Sequence, residues 1–308
     1  MRRSVLVLWV LAGLGVTPRA VHGFDLSSAI IPRNQIVSGG VGRDGIPAID
    51  NPRFISAREA NFLRNDDLVV SVSVGDRTRA YPLRILTWHE VVNDQIGNQP
   101  IAVTYCPLCG TAMVFNRIIN GRTLSFGVSG LLYQSDVLMY DRETESLWSQ
   151  LAMKAVAGPQ VNAALELLVS EHMTWQAWNL KHADGEVLAP PSSSGRNYAR
   201  NPYAAYEGNP GTVFPVPKHR PELPDKAWVI GIILNGVPKA YLTSQLPPDE
   251  PLADSVGGIA VGITYDRIAK QPTVVNSVTG EAVPYVLAYW FAWQAFYRHT
   301  ELWAGGRE

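Results

Sequence analysis

Two cysteines stand in the 308-residue chain, three positions apart, in Thr104-Tyr105-Cys106-Pro107-Leu108-Cys109-Gly110-Thr111. Two thiols at this spacing can chelate one soft metal ion, exchange disulfides with a partner, or close as a fixed bridge. The flanking residues favour the first. A strand enters, the CxxC segment turns, and a strand leaves. Pro107 fixes φ and withholds a backbone donor, while Gly110 accepts a positive φ. That is the form of a metal-chelating knuckle. A redox-active dithiol of the thioredoxin type opens a helix instead, and Gly110 with the β-type run after it argues against a helix.

A knuckle supplies two ligands, and a closed zinc site needs four. His89, in Trp88-His89-Glu90, is the nearest candidate along the chain. Glu90 and Asp136 are hard donors, and Met113 and Met139 are soft ones that serve equally as core filling. Ser129-Gly130, Tyr133 and Ser135-Asp136 form a segment dense in hydroxyls with one carboxylate, placed to face the cysteine turn. The expected set is Cys106, Cys109 and His89, with Glu90, Met113, Tyr133, Asp136 and Met139 as further donors. The expected cofactor is copper ahead of zinc. No nucleotide cofactor is expected, since no Walker loop, Rossmann glycine pattern or H-E-x-x-H is present, and no Cys-His pair offers haem attachment. Ser129 lacks a G-x-S-x-G context, and His172 and His182 flank an expected helix.

The elements around this segment repeat. Leu68–Val74 followed by Ala80-Tyr81 recurs as Trp228–Leu234 followed by Ala240-Tyr241, at the offset of 160 residues that separates Leu86 from Leu246. Asp94, Gly97, Thr104 and Tyr105 match Asp254, Gly257, Thr264 and Tyr265. Thr144-Glu145 with Leu147-Trp148 echoes Thr300-Glu301-Leu302-Trp303. At the same offset His89, Cys106 and Cys109 become Asp249, Asp266 and Ala269. Residues that only packed the fold are expected in both halves, so their joint absence favours one shared site. The expected fold is mostly β (β-rich α+β): two tandem-duplicated β units with a few short helices. Strands are expected at Ile101–Tyr105, Ala112–Phe115, Thr123–Val128 and Val137–Tyr140. Helices are expected after Thr174, as a cap, and over Ala288–Phe296. Asp141, Arg142 and Glu145 read as a network that fixes Trp148. The expected organisation is a signal peptide over 1–23, a lead segment over 24–65, a first repeat over 66–188, a Pro/Gly/Asn-rich connector over 189–224 and a degenerate second repeat over 225–308.

Composition sets the outer limits. A 46% hydrophobic fraction supports a real core, and 26 basic against 27 acidic residues leave a net charge of −1. That removes the field of a nucleic-acid binder. Arg2 and Arg3 precede an apolar run from Val5 to Val16, and Val21-His22-Gly23 fits a cleavage site, so the protein is expected to be exported, periplasmic or extracellular. The later run Val286–Tyr297 falls short of the roughly 20 residues that a span needs, so no stable membrane span is expected after signal cleavage.

Longer motifs carry a family resemblance. Leu86-Thr87-Trp88-His89-Glu90-Val91-Val92-Asn93-Asp94, the cysteine segment Val103–Ala112, Phe126–Asp136, Met139–Gln150 and His172-Met173-Thr174-Trp175 with Trp178 and His182 resemble successive motifs of the DUF3179 family. The resemblance spans nearly the whole chain after the leader and implies no agreed activity, substrate or cofactor. Three readings stay open. The first is a soft-metal protein for metal handling or electron transfer, with a metal-transfer or redox partner. The second is a thiol-disulfide oxidoreductase in which Cys106 attacks, Cys109 resolves, and His89 or Glu90 moves the proton. The third is an extracellular ligand-binding module with a structural disulfide and a floor of Trp88, Tyr105 and Tyr133.

Overall fold

The computed structural model describes residues 23–192, 195–248 and 250–305. The expected leader, Gly23 apart, and Asp249 lie outside them. β-Branched residues between turn formers make the first hairpin: β1 (Leu68–Val74) pairs antiparallel with β2 (Arg77–Pro82). Helix α1 (Leu83–His89) follows Pro82 and turns Ile85, Leu86 and His89 inward. No Ser, Thr, Asp or Asn caps it, so the usual sign of a helix start is missing from the sequence. β3 (Val91–Ile96), β4 (Gln99–Cys106) and β5 (Thr111–Asn116) then form a three-stranded meander.

β6 (Phe126–Tyr133), β7 (Asp136–Asp141), β8 (Leu147–Ser149) and β9 (Lys154–Ala157) form a second sheet, completed at its edge by the short strand Ile36–Ser38. β10 (Glu171–Thr174) returns to pair with β1. As expected, Thr174 caps α2 (Trp175–Lys181), its hydroxyl accepting the Ala177 N–H at 3.3 Å. β11 (Glu186–Leu188) runs parallel to β2. The connector carries one short helix, α3 (Ala204–Glu207).

The second half repeats this plan. β12 (Trp228–Leu234) and β13 (Val237–Leu242) form its hairpin, β14 (Leu252–Val256), β15 (Ile259–Asp266) and β16 (Gln271–Asn276) its meander, and β17 (Val286–Tyr289), α4 (Trp290–Phe296) and β18 (Glu301–Trp303) its return. The strand orders β10-β1-β2-β11 and β17-β12-β13-β18 correspond, the first extended at its edge by the short strand Phe54–Ser56. β18 is parallel to β13 as β11 is to β2. Glu301–Trp303 therefore answers Glu186–Leu188. The echo with Thr144–Trp148 is overturned, because Leu147–Ser149 lies in the sheet inserted between β5 and β10. Helix α4 starts at Trp290, two residues beyond the expected Ala288, because Ala288 is still held in the ladder opposite Val229.

Strand outweighs helix by 41% to 12%, and five sheets stand like blades in a propeller-like ring. Each half supplies two blades, and the inserted sheet is the fifth. The halves dock reciprocally. The Thr174 N–H donates to the Ala269 carbonyl at 2.8 Å, and the Tyr289 N–H donates to the Cys109 carbonyl at 2.9 Å. Each half thus sets the start of its late helix on the meander turn of the other. Gly110 makes the second contact possible: its φ is +65°, and a Cβ there would lie 2.7 Å from Trp228 Cη2.

Gly110→Ala is expected to destabilise the fold by about 3 kcal/mol in chemical denaturation, since it meets both a positive φ and a hard contact. Gly75→Ala, with φ +61° but open space around it, is expected to cost about 1 kcal/mol.

Candidate metal centre

The cysteine turn is closed by backbone bonds from Cys109 N–H to the Cys106 carbonyl at 3.1 Å and from Gly110 N–H to the Pro107 carbonyl at 3.4 Å. Facing it is the tight turn between β6 and β7, where Gln134 and Ser135 both take the left-handed conformation, φ +55° and +65°. Such a turn normally uses Asn and Gly, so two ordinary side chains hold strained backbone here. The turn aims two oxygens at the thiols. The Ser135 carbonyl lies 3.7 Å from Cys106 Sγ and 3.5 Å from Cys109 Sγ, and Asp136 Oδ1 lies 3.9 Å from Cys109 Sγ. Ligand atoms of Cys106, Cys109 and Asp136 all fall within 4.8 Å of one another. All three residues are at most 1% exposed, and the cysteines are free thiols.

The surroundings fix the carboxylate. Asp136 Oδ2 accepts the Leu151 N–H at 3.0 Å and the Ser149 hydroxyl at 3.1 Å, which leaves Oδ1 toward Cys109. Gln150 Nε2 donates to the Thr104 hydroxyl at 2.8 Å and so clamps the inserted sheet onto β4. Asn93 on β3 secures the same sheet from the other side. It donates to the Phe126 carbonyl at 2.7 Å and accepts the Phe126 N–H at 2.9 Å.

Burial sets the protonation. Desolvation first, then the neighbouring Cys106 and Asp136, pushes the Cys109 thiol up. Desolvation also raises the Asp136 carboxyl from 3.8 to about 7, against the pull of its hydrogen bonds to Leu151 and Ser149. Glu90 rises from 4.5 to about 8, mainly through desolvation, with the Asp136 charge adding to it. Without a cation, these groups shed charge by holding protons.

His89 is not brought to the thiols. Its Nδ1–H donates to the Pro47 carbonyl at 2.7 Å, which leaves Nε2 to accept from the Tyr198 hydroxyl at 2.7 Å. Burial lowers its pKa and keeps it neutral. In the second half the three-residue 3-10 turn Thr243–Gln245 stands where α1 begins in the first, so the absence of His89 there goes with a local change of backbone as well as with the loss of the cysteines. The group that faces both thiols where His89 was expected is the Ser135 carbonyl, a backbone atom that no side-chain pattern reveals. Glu90 is buried beside the cluster, where the Tyr203 hydroxyl donates to it at 3.4 Å. Met113 and Met139 pack in the core that also holds both cysteines. Tyr133 stacks edge-on with Phe296 rather than forming a floor with Trp88 and Tyr105. His172 and His182 stay outside the group, and Ser129 spends its hydroxyl on the Leu138 carbonyl. Asp141 does hold Trp148, accepting its Nε1–H at 2.8 Å, but Arg142 and Glu145 turn away to Asp44 and Arg43.

The connector crosses this site as a strap. Its Arg200 carbonyl accepts from Trp88 Nε1, Tyr206 donates to the Leu108 carbonyl at 2.7 Å, and the Phe214 carbonyl accepts the Ser135 hydroxyl at 2.9 Å.

A family model described as a protein of unknown function (DUF3179) matches residues 43–300. No curated protein and no solved structure matches the chain.

Because the folded-state pKa of Asp136 lies above its ordinary value, its protonated form stabilises the metal-free fold below about pH 4, and that contribution is lost as pH rises through about 7. Asp136→Asn keeps an acceptor but cannot ionise. In metal-free protein the Tm difference, variant minus wild type, is expected to rise by about 5 °C from pH 5 to pH 8 in differential scanning fluorimetry.

Proposed function

The chain belongs to the DUF3179 family, a family of unknown function, and from that premise we propose that it is an exported metal-binding protein. It holds one thiophilic divalent cation, zinc before copper, on Cys106, Cys109 and Asp136. The observation that carries this is the buried group of two thiols and a carboxyl within 4.8 Å. Three acids gathered out of water are a poor packing choice unless a cation takes the place of their protons.

The spacing supports the choice of ion. Zinc with Zn–S near 2.3 Å and Zn–O near 2.1 Å in a tetrahedron separates sulfur from oxygen by about 3.6 Å. The distances from the thiols to the Ser135 carbonyl and to Asp136, 3.5, 3.7 and 3.9 Å, bracket that value. Ser135 then supplies the fourth ligand. With His89 engaged elsewhere and two oxygens in its place, the donor set is harder than the copper reading assumed, and copper(I) loses ground to zinc. Four ligands from the protein leave no open position, so the ion is held rather than used in catalysis, and its delivery to a partner would require the strap to lift. The leader-like residues 1–23 support export.

The second reading, thiol-disulfide exchange, is favoured by one observation. A carboxylate raised to about 7 beside Cys109 is placed to take the proton of a resolving thiol. Thiols at most 1% exposed oppose it.

Protein prepared without a polyhistidine tag is expected to carry about one zinc per chain by plasma mass spectrometry, and Cys106→Ser and Asp136→Ala are expected to carry less than about 0.2. His89→Ala is expected to keep its metal. Wild-type protein devoid of metal after zinc supplementation, or loss on His89→Ala with retention on Asp136→Ala, would overturn the reading.

A further inference from the structure

A second site lies where the two halves meet. A cavity of about 290 Å³ opens beside Gly110, with apolar walls from Leu68, Leu83, Trp228 and Leu287 and cations from Arg267 and Lys270. It straddles the duplication: Leu68 and Trp228 are equivalent positions, as are Gly110 and Lys270. Ligand pockets occur preferentially at such interfaces between packed units.

The charges are one-sided. No carboxylate lines this cavity, and His172 on its wall is neutral, since burial lowers it to about 4. Arg267 is held by the Ser244 and Leu246 carbonyls, at 2.9 and 3.1 Å, which position its guanidinium without cancelling its charge. Lys270 has no carboxylate partner among the described residues. Carboxylates line the neighbouring cavities instead: one of about 370 Å³ shares Leu68, Leu83 and Lys270 and carries Asp66, Asp67 and Glu207 with Arg84 and Arg200, and another shares Tyr265 and Arg267 and carries Glu250 and Asp266.

Lys270 also stands against its own backbone. Its φ is +53°, in the region that glycine fills at the matching Gly110. A long charged side chain in that conformation is a local stability loss, and exposed Lys270 lines both cavities.

We propose that the cavity between the halves binds a small aromatic monocarboxylate, its ring against Trp228 and Tyr265 and its carboxylate on Lys270 and Arg267. This site uses none of the thiol cluster and stands or falls independently of the metal reading.

The test uses 4-phenylbutyrate and its neutral amide in calorimetric titration of the full chain. The acid is expected to bind with 1:1 saturation, and the amide at least about fivefold more weakly. Lys270→Gly is expected to weaken the acid at least about fivefold, leave the amide unchanged, and raise Tm by about 2 °C. Gain of stability with loss of binding is the signature of a residue kept for its ligand. No saturable binding of the acid up to about 10 mM, or equal binding by wild type and Lys270→Gly, would overturn the proposal.

Discussion

The withdrawal of Cys106, Cys109 and Asp136 from water is the constraint around which the rest of the structure is arranged. A buried charge without a partner costs several kcal/mol, so the three groups either keep their protons or share a cation. Everything near them serves that choice. The strained turn at Gln134-Ser135 brings a carbonyl to both sulfurs. Ser149 and the Leu151 N–H orient the carboxylate, as outer-shell donors do for metal ligands. The connector closes over the top.

The cysteine group sits on a turn that the second half also has. In both halves the turn after the second meander strand receives the start of the late helix from the other half. In the second half Asp266 stands at the place of Cys106, and its Oδ1 accepts the N–H groups of Ile268 and Ala269, both at 2.8 Å. One carboxylate closes that turn by hydrogen bonds alone. The first half carries two sulfurs instead and holds the inserted sheet, which faces them with Ser135 and Asp136. Scaffold and chemistry are thus separable: among the described residues the docking contact exists in both halves, and the group of two thiols and a carboxyl in the first alone.

Much of this was legible in the chain. The apolar runs at 68–74 and 228–234, with glycine in the turns, form the repeated hairpins, and the cysteine segment is strand, turn and strand as its residues imply, with Gly110 at positive φ. Asp136 was within reach because it followed a hydroxyl-rich turn. Other features left no local trace. α1 has no capping residue, and its end looked like a ligand because His89 stood beside the motif. The bonds that occupy His89 come from Pro47 and Tyr198, far along the chain. The match between Trp148 and Trp303 was a coincidence of composition that only the parallel pairing of β18 resolves. Backbone donors such as the Ser135 carbonyl belong to every residue, so no pattern of side chains singles one out.

If a cation exchanges for protons in the buried cluster, proton release measures that exchange directly. Zinc binding followed by calorimetry at pH 6 in buffers of differing ionisation enthalpy is predicted to release about two to three protons per zinc, falling by about one in Asp136→Asn. Binding of zinc with no proton release, or with the same release in Asp136→Asn, would contradict the account.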